Sequence, residues 1–310
     1  MSPIERRPLP GQRDRLYLCH TGLETDLIFN HGVDLPGFAA FPLLDSPDGR
    51  ATLARYYDDL IELVARQNVG LVMESVTWMA NKDRAADLGY GPEDLRRLNR
   101  EAIALMAEAR NKSGYGPLVL SANIGPRSDA YTATGGMSVS EATDYHAEQI
   151  SCLATTSVDV ASGFTLAYVD EAIGLAIAAR EHGLPCAIAF TVETDGRLPS
   201  GVALGDAIEQ VDDATGRSPA YYMVNCAHPD HFAKTLKPSP WMDRIQGVIA
   251  NASRCSHAEL DAAEELDDGD PEELGHQLAA LRGKFPHLSI LGGCCGTDFR
   301  HLEEILARSR

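Results

Sequence analysis

No stretch of the chain approaches the roughly 20 consecutive apolar residues that a membrane-spanning helix needs. Its opening, MSPIERRPLPGQRDR, carries charge and proline around no apolar centre, so no secretory signal is expected either. Positive charge is scarce: 27 lysines and arginines stand against 45 acidic residues, a formal net charge of -18. Such a surface repels a nucleic-acid backbone or an anionic membrane and suits small neutral or cationic partners. No Gly-x-Gly-x-x-Gly follows a strand-like run, so a nucleotide bound in the Rossmann manner is not indicated. Repeats, low-complexity tracts and a dividing linker are all lacking. The seven cysteines are odd in number and scattered, which argues against a disulfide framework and for a reducing, cytoplasmic setting.

With 44% hydrophobic residues in 310, the chain can bury a large core. From about residue 15 onward, short β-rich apolar runs alternate with amphipathic segments. The strand-like runs are residues 15–19, 70–75, 118–123, 158–165, 186–192, 220–226, 245–251 and 288–291. Helical patterns occupy residues 51–67, 93–112, 140–155, 169–182, 204–213, 229–236, 271–282 and 299–307, with Ser140 as a cap ahead of Glu141 and Gly183 closing the fourth. Eight βα units predict a single (β/α)8 barrel over 15–310, preceded by an N-terminal extension over 1–14, with an open doubly wound sheet as the competing arrangement. The acidic run 259–273 reads as a solvated helix and turn on the exterior.

The most informative segment follows the eighth run: Gly292-Gly293-Cys294-Cys295-Gly296-Thr297. Adjacent residues of an extended backbone point to opposite sides, so one ion can use both sulfurs only where the chain turns sharply, and the glycines permit that. Cys226 ends the sixth run, after Asn225. In a barrel, all strands deliver their carboxyl ends to one face, so three sulfurs about 70 residues apart in sequence can meet there. Three thiolates with an open fourth position describe a catalytic zinc site, because a structural site closes the fourth position with protein. His228 is a possible fourth ligand or a helix start, and Cys294 with Cys295 could alternatively form a redox-active pair. Cys19, Cys152, Cys186 and Cys255 read as small buried hydrophobes.

The GGCCGT loop and the upstream Asn-Cys strand end resemble the homocysteine S-methyltransferase family, which includes betaine:homocysteine and S-methylmethionine:homocysteine methyltransferases. The likeness runs from about residue 15 to 308. It implies a (β/α)8 barrel whose zinc, held by Cys226, Cys294 and Cys295, binds the thiol of homocysteine. His20-Thr21-Gly22-Leu23-Glu24-Thr25 is similar to the first-strand loop that contacts the amino acid substrate, which implicates Gly22, Glu24 and Thr25. Two positions depart from the family pattern. The loop aspartate is His20, and the glutamate of the Phe-Glu-Thr triplet that grips the substrate amine is Phe164. A ring offers an ammonium at best a cation-π contact. Glu24 or Glu193 is expected to supply the missing charge, Trp78 to stack on a cationic methyl donor, and Asn225 to hydrogen-bond the sulfur or the substrate.

These readings predict a zinc-dependent S-methyltransferase of methionine biosynthesis, a monomer or small homo-oligomer. It would move a methyl group from S-methylmethionine, S-adenosylmethionine or a betaine to a bound thiol. The alternatives are a zinc hydrolase or lyase, with Glu193 or His228 as general base, and a non-enzymatic metal or thiol sensor.

Overall fold

In the computed structural model, which describes residues 5–11, 15–133 and 136–309, eight parallel strands close on themselves. β1 (Tyr17–Leu18), β2 (Gly70–Glu74), β3 (Leu118–Ile124), β4 (Val160–Leu166), β5 (Cys186–Phe190), β6 (Tyr221–Asn225), β7 (Ile245–Ala250) and β8 (Ile290–Gly293) follow in ring order. β8 returns to pair with β1, Tyr17 opposite Ile290. Closure excludes the open sheet and gives a single (β/α)8 barrel. The helices Pro47–Gln67, Pro92–Ser113, Val139–Leu153, Val169–Glu181, Leu204–Thr215, Pro229–Phe232, Pro271–Lys284 and Phe299–Arg308 separate and follow the strands. Among the described residues no helix is long and apolar enough to cross a membrane.

The strands are apolar on both faces because both are covered. Alternate residues such as Ala187, Ala189, Tyr221 and Met223 point into the barrel, while Ile188, Tyr222 and Val224 pack outward against the helices. At the amino end of β4, Asp159 is buried and answered by the Arg110 guanidinium at 2.9 Å, the Leu120 N–H at 2.8 Å and the Arg7 N–H at 2.7 Å. Leu9 packs against the barrel interior from this side. Residues 1–4 and 12–14 of the expected N-terminal extension lie outside the described residues.

Three expectations are corrected. The cap of helix Val139–Leu153 is Ser138, not Ser140: its hydroxyl accepts from the Glu141 N–H while the Glu141 carboxylate accepts from the Ser138 N–H. A reciprocal box needs serine and glutamate three residues apart, and only Ser138 has that spacing. Cys255 is exposed, in the loop before the short helix His257–Asp261, with its thiol 3.8 Å from Asp267. The acidic run is largely solvated, but it is not confined to the exterior, since Asp261, Glu265 and Asp267 line a cavity at the carboxyl end of the barrel.

Candidate metal centre

Cys226, Cys294 and Cys295 converge at the carboxyl ends of β6 and β8, their sulfurs all within 4.8 Å of one another. The Cys226 and Cys295 sulfurs are 3.6 Å apart. Cys226 reaches this position through a left-handed backbone, φ 53°, which is unfavourable for a residue with a Cβ. Its surroundings hold it there. Its N–H donates to the Ile249 carbonyl at 3.1 Å, and its own carbonyl is met by His257 Nε2 at 2.7 Å and the Thr191 hydroxyl at 3.3 Å.

The turn after β8 is laced to its neighbours. The Cys294 N–H donates to the Ala250 carbonyl at 2.7 Å, and the Thr297 hydroxyl donates to the Cys294 carbonyl at 2.7 Å. Gly293 is obligatory here, because a Cβ would lie 2.1 Å from the Thr297 hydroxyl oxygen. Gly296 takes φ 78° and donates its N–H to the Thr25 hydroxyl at 3.1 Å. Thr25 in turn donates to the Gly22 carbonyl at 2.8 Å, so the first-strand loop braces the cysteine turn.

Charge is shared unequally among the sulfurs. Hydrogen bonds from Cys294 and Cys295 hold the Cys226 thiol well below the ordinary range, and the same contacts push Cys294 and Cys295 well above it. Tyr131 adds a bond of 3.0 Å to the Cys226 sulfur. Burial and the Cys226 charge keep the phenol protonated, so its hydroxyl donates. The Tyr131 ring stacks on His257 with centroids 4.0 Å apart, and His257 Nδ1 meets Glu193 at 3.1 Å.

Beside the sulfurs lies an inner cavity of about 70 Å³, which borders an outer one of about 730 Å³. Thr25, Phe38, Trp78, Tyr131 and Cys295 line both. The inner cavity also meets Gly22, Glu24, Phe164 and Asn225, together with Glu74, whose role the sequence did not suggest. Burial lifts the Glu24 carboxyl to about 7 and that of Glu74 to about 8, and lowers His20 to about 4. His20 sits edge-on to Phe164, centroids 5.2 Å apart. Cys19, His20 and Glu74 form a second close group of potential ligand atoms deeper in the barrel.

The structure redirects several expected roles. Both amide atoms of Asn225 are taken by Thr165: its oxygen accepts from the Thr165 N–H at 2.9 Å, and its nitrogen donates to the Thr165 hydroxyl at 2.8 Å. Asn225 therefore clamps a residue whose φ is 61° rather than touching a sulfur. Glu193 pairs with His257 and does not line the inner cavity, so it does not stand in for the charge absent at Phe164. His228 is the cap of helix Pro229–Phe232, its Nδ1 accepting from the Asp230 N–H at 3.2 Å. Trp78 stands at the junction of the two cavities and donates its indole N–H to the Phe164 carbonyl at 3.3 Å. Sequence reasoning missed Tyr131, His257 and Glu74, none of which sits in a recognisable motif.

Comparison with known proteins agrees with this architecture. No curated protein matches the chain in sequence. Among solved structures, the homocysteine methyltransferase MmuM from Escherichia coli is similar in its metallated form, at 18% identity and TM-score 0.70, and in its oxidised form, at 17% and 0.68. Each alignment covers 96% of this chain and 96% of that one, and at such identity the likeness speaks for the fold. Residues 22–308 match the sequence model of the homocysteine S-methyltransferase family. That match spans nearly the whole barrel, so the chain belongs to the homocysteine S-methyltransferase family and is an S-methyltransferase.

Proposed function

We propose that the enzyme moves a methyl group from an onium donor, such as S-methylmethionine, S-adenosylmethionine or a betaine, to a thiol such as homocysteine, with zinc carried by Cys226, Cys294 and Cys295. The observation that supports it most is the gathering of three sulfurs within 4.8 Å where the inner and outer cavities adjoin. The donor set fits the ion. Zinc–sulfur bonds of about 2.3 Å at the tetrahedral angle separate two sulfurs by about 3.8 Å, and Cys226 and Cys295 stand at 3.6 Å. Two protonated thiols crowded on one thiolate are also a set that a divalent cation would relieve. A metallated form exists for the structurally similar MmuM.

Zinc would supply Lewis acidity, favouring the deprotonated form of a thiol in its open fourth position. The rest falls to the chain. Tyr131 donates to Cys226 and so orients that sulfur and tempers its charge. Trp78 and Phe38 present aromatic rings at the cavity junction, where a cationic methyl donor would be attracted to the ring faces. Six acidic side chains against two arginines line the outer cavity, which favours a cationic donor. The sulfur–carbon bond forms as the carbon–onium bond breaks, and the donor leaves with the bonding electrons, one positive charge lighter. No general base is required at that step. Glu193 and His228, which a hydrolase would use, are engaged by His257 and by the Asp230 N–H. With homocysteine as acceptor the product is methionine, which sets the enzyme in methionine biosynthesis. The seven free cysteines suit the reducing cytoplasm.

A matrix of thiols against the three donor classes, read by mass of the methylated product with zinc measured in the same sample, tests the proposal. It predicts methylated homocysteine with at least one onium donor, only in zinc-containing protein. Zinc-replete enzyme that methylates no thiol, or full transfer by zinc-free protein, contradicts it.

A further inference from the structure

The inner cavity contains a carboxyl group that nothing in the protein fully engages. Glu74, the last residue of β2, is 5% exposed. Its Oε1 accepts from the Cys19 thiol at a distant 3.9 Å, while Oε2 is buried without any hydrogen-bond partner. The backbone is fixed, since the Tyr57 hydroxyl donates to the Glu74 carbonyl at 3.0 Å. A buried acid with an unused oxygen is costly to keep, and an apolar residue of similar size would avoid that cost. It therefore points to a partner from outside the chain.

The surroundings say what kind of partner. The inner cavity is lined by Glu24 and Glu74 and by no lysine or arginine. His20, the one basic side chain there, is kept neutral by burial. From the β4 side the cavity meets the ring of Phe164, with no charge to compete. The Cys226, Cys294 and Cys295 sulfurs border the same space, so a small molecule bound through its own sulfur would have Glu74 as a neighbour.

We propose that Glu74 anchors the ammonium group of the thiol acceptor, so that the substrate is an aminothiol gripped by its sulfur at the three-cysteine centre and by its amine at the end of β2. This rests on the methyl-transfer reading and adds the substrate class and the residue that selects it. Burial has lifted the Glu74 carboxyl to about 8 in the empty cavity, a penalty that a cation at Oε2 would relieve.

Calorimetric binding to the zinc-loaded protein separates the possibilities, comparing homocysteine with its deaminated analogue, 4-sulfanylbutanoic acid. Wild type should bind homocysteine roughly 30-fold or more tightly than the analogue, the scale of losing one partner of a buried charge pair. E74Q should abolish that preference while leaving the analogue's affinity unchanged. Equal binding of the two thiols by wild type, or a preference that survives in E74Q and disappears in E24Q, overturns the assignment and leaves the methyltransferase reading standing. If wild type binds neither thiol, that reading falls and the assignment with it. The wild-type comparison decides even if E74Q does not fold.

Discussion

Cys226, Tyr131 and Glu74 show how much of this site depends on single side chains in unusual surroundings. The Tyr131 hydroxyl, 95 positions from Cys226 in sequence, meets its sulfur at 3.0 Å. Tyr131→Phe removes that donor and leaves the ring to stack on His257. A drop of about 10- to 100-fold in zinc affinity or methyl transfer is expected, the usual consequence of losing a partner that supports a ligand. Competition with a chelator and steady-state kinetics measure the two, and unchanged values in both would refute the role. Glu74 gives a pH signature in the ligand-free protein. Its folded value of about 8 lies above the ordinary 4.5, so folding favours the protonated form. The stability this brings is whole below about 4.5 and is lost as pH rises through 8. Glu74→Gln stays neutral throughout, so at pH 8 its melting temperature should exceed that of wild type by on the order of 5 °C, while the two converge near pH 5. A gap that does not change with pH would count against this. The three metal cysteines were legible because the glycine-flanked pair and the strand-end Asn-Cys form a motif. Glu74 reads as an ordinary strand residue and Tyr131 as a loop residue. Asn225 misled for another reason: the positive φ of Thr165, which both its amide atoms serve, has no trace in sequence.

At the level of elements, the strands were readable because a barrel buries both of their faces and leaves compact apolar runs between helices. Boundaries shifted by a few residues at most for seven of them, and β1 shortened to Tyr17–Leu18. The short helices Lys82–Asp87 and His257–Asp261 went unread, having too few turns for a 3.6-residue period to register. Helix contacts carry their own test. Gly174 of helix Val169–Glu181 lies so close to helix Val139–Leu153 that a Cβ there would stand 2.4 Å from the Ala142 Cβ and 2.7 Å from the Thr143 nitrogen. Gly174→Val should force the two helices apart and cost about 1–3 kcal/mol in denaturant unfolding. Unaltered unfolding would show that this contact is looser than described.

For the whole molecule, closure of the ring is what turns three distant cysteines into one centre. The pairing of β8 with β1 and of β6 with β7 and β7 with β8 brings the carboxyl ends of β6 and β8 to one rim, with the first-strand loop braced against the cysteine turn. Alternation of strand and helix foretold that convergence, whereas the paired cavities depend on loops whose course periodicity does not encode. The excess of acidic side chains around the outer cavity belongs to this scale too, since it comes from segments as far apart as Asp83 and Asp267. X-ray absorption at the zinc edge is the most direct measurement of the central claim. Zinc-loaded wild type should hold one ion per chain with three sulfur neighbours and gain a fourth on addition of homocysteine, and Cys226→Ala, Cys294→Ala and Cys295→Ala should each lose the ion and methyl transfer together. Zinc surrounded by nitrogen and oxygen alone, or a full complement of zinc and activity in any of the three variants, would contradict it.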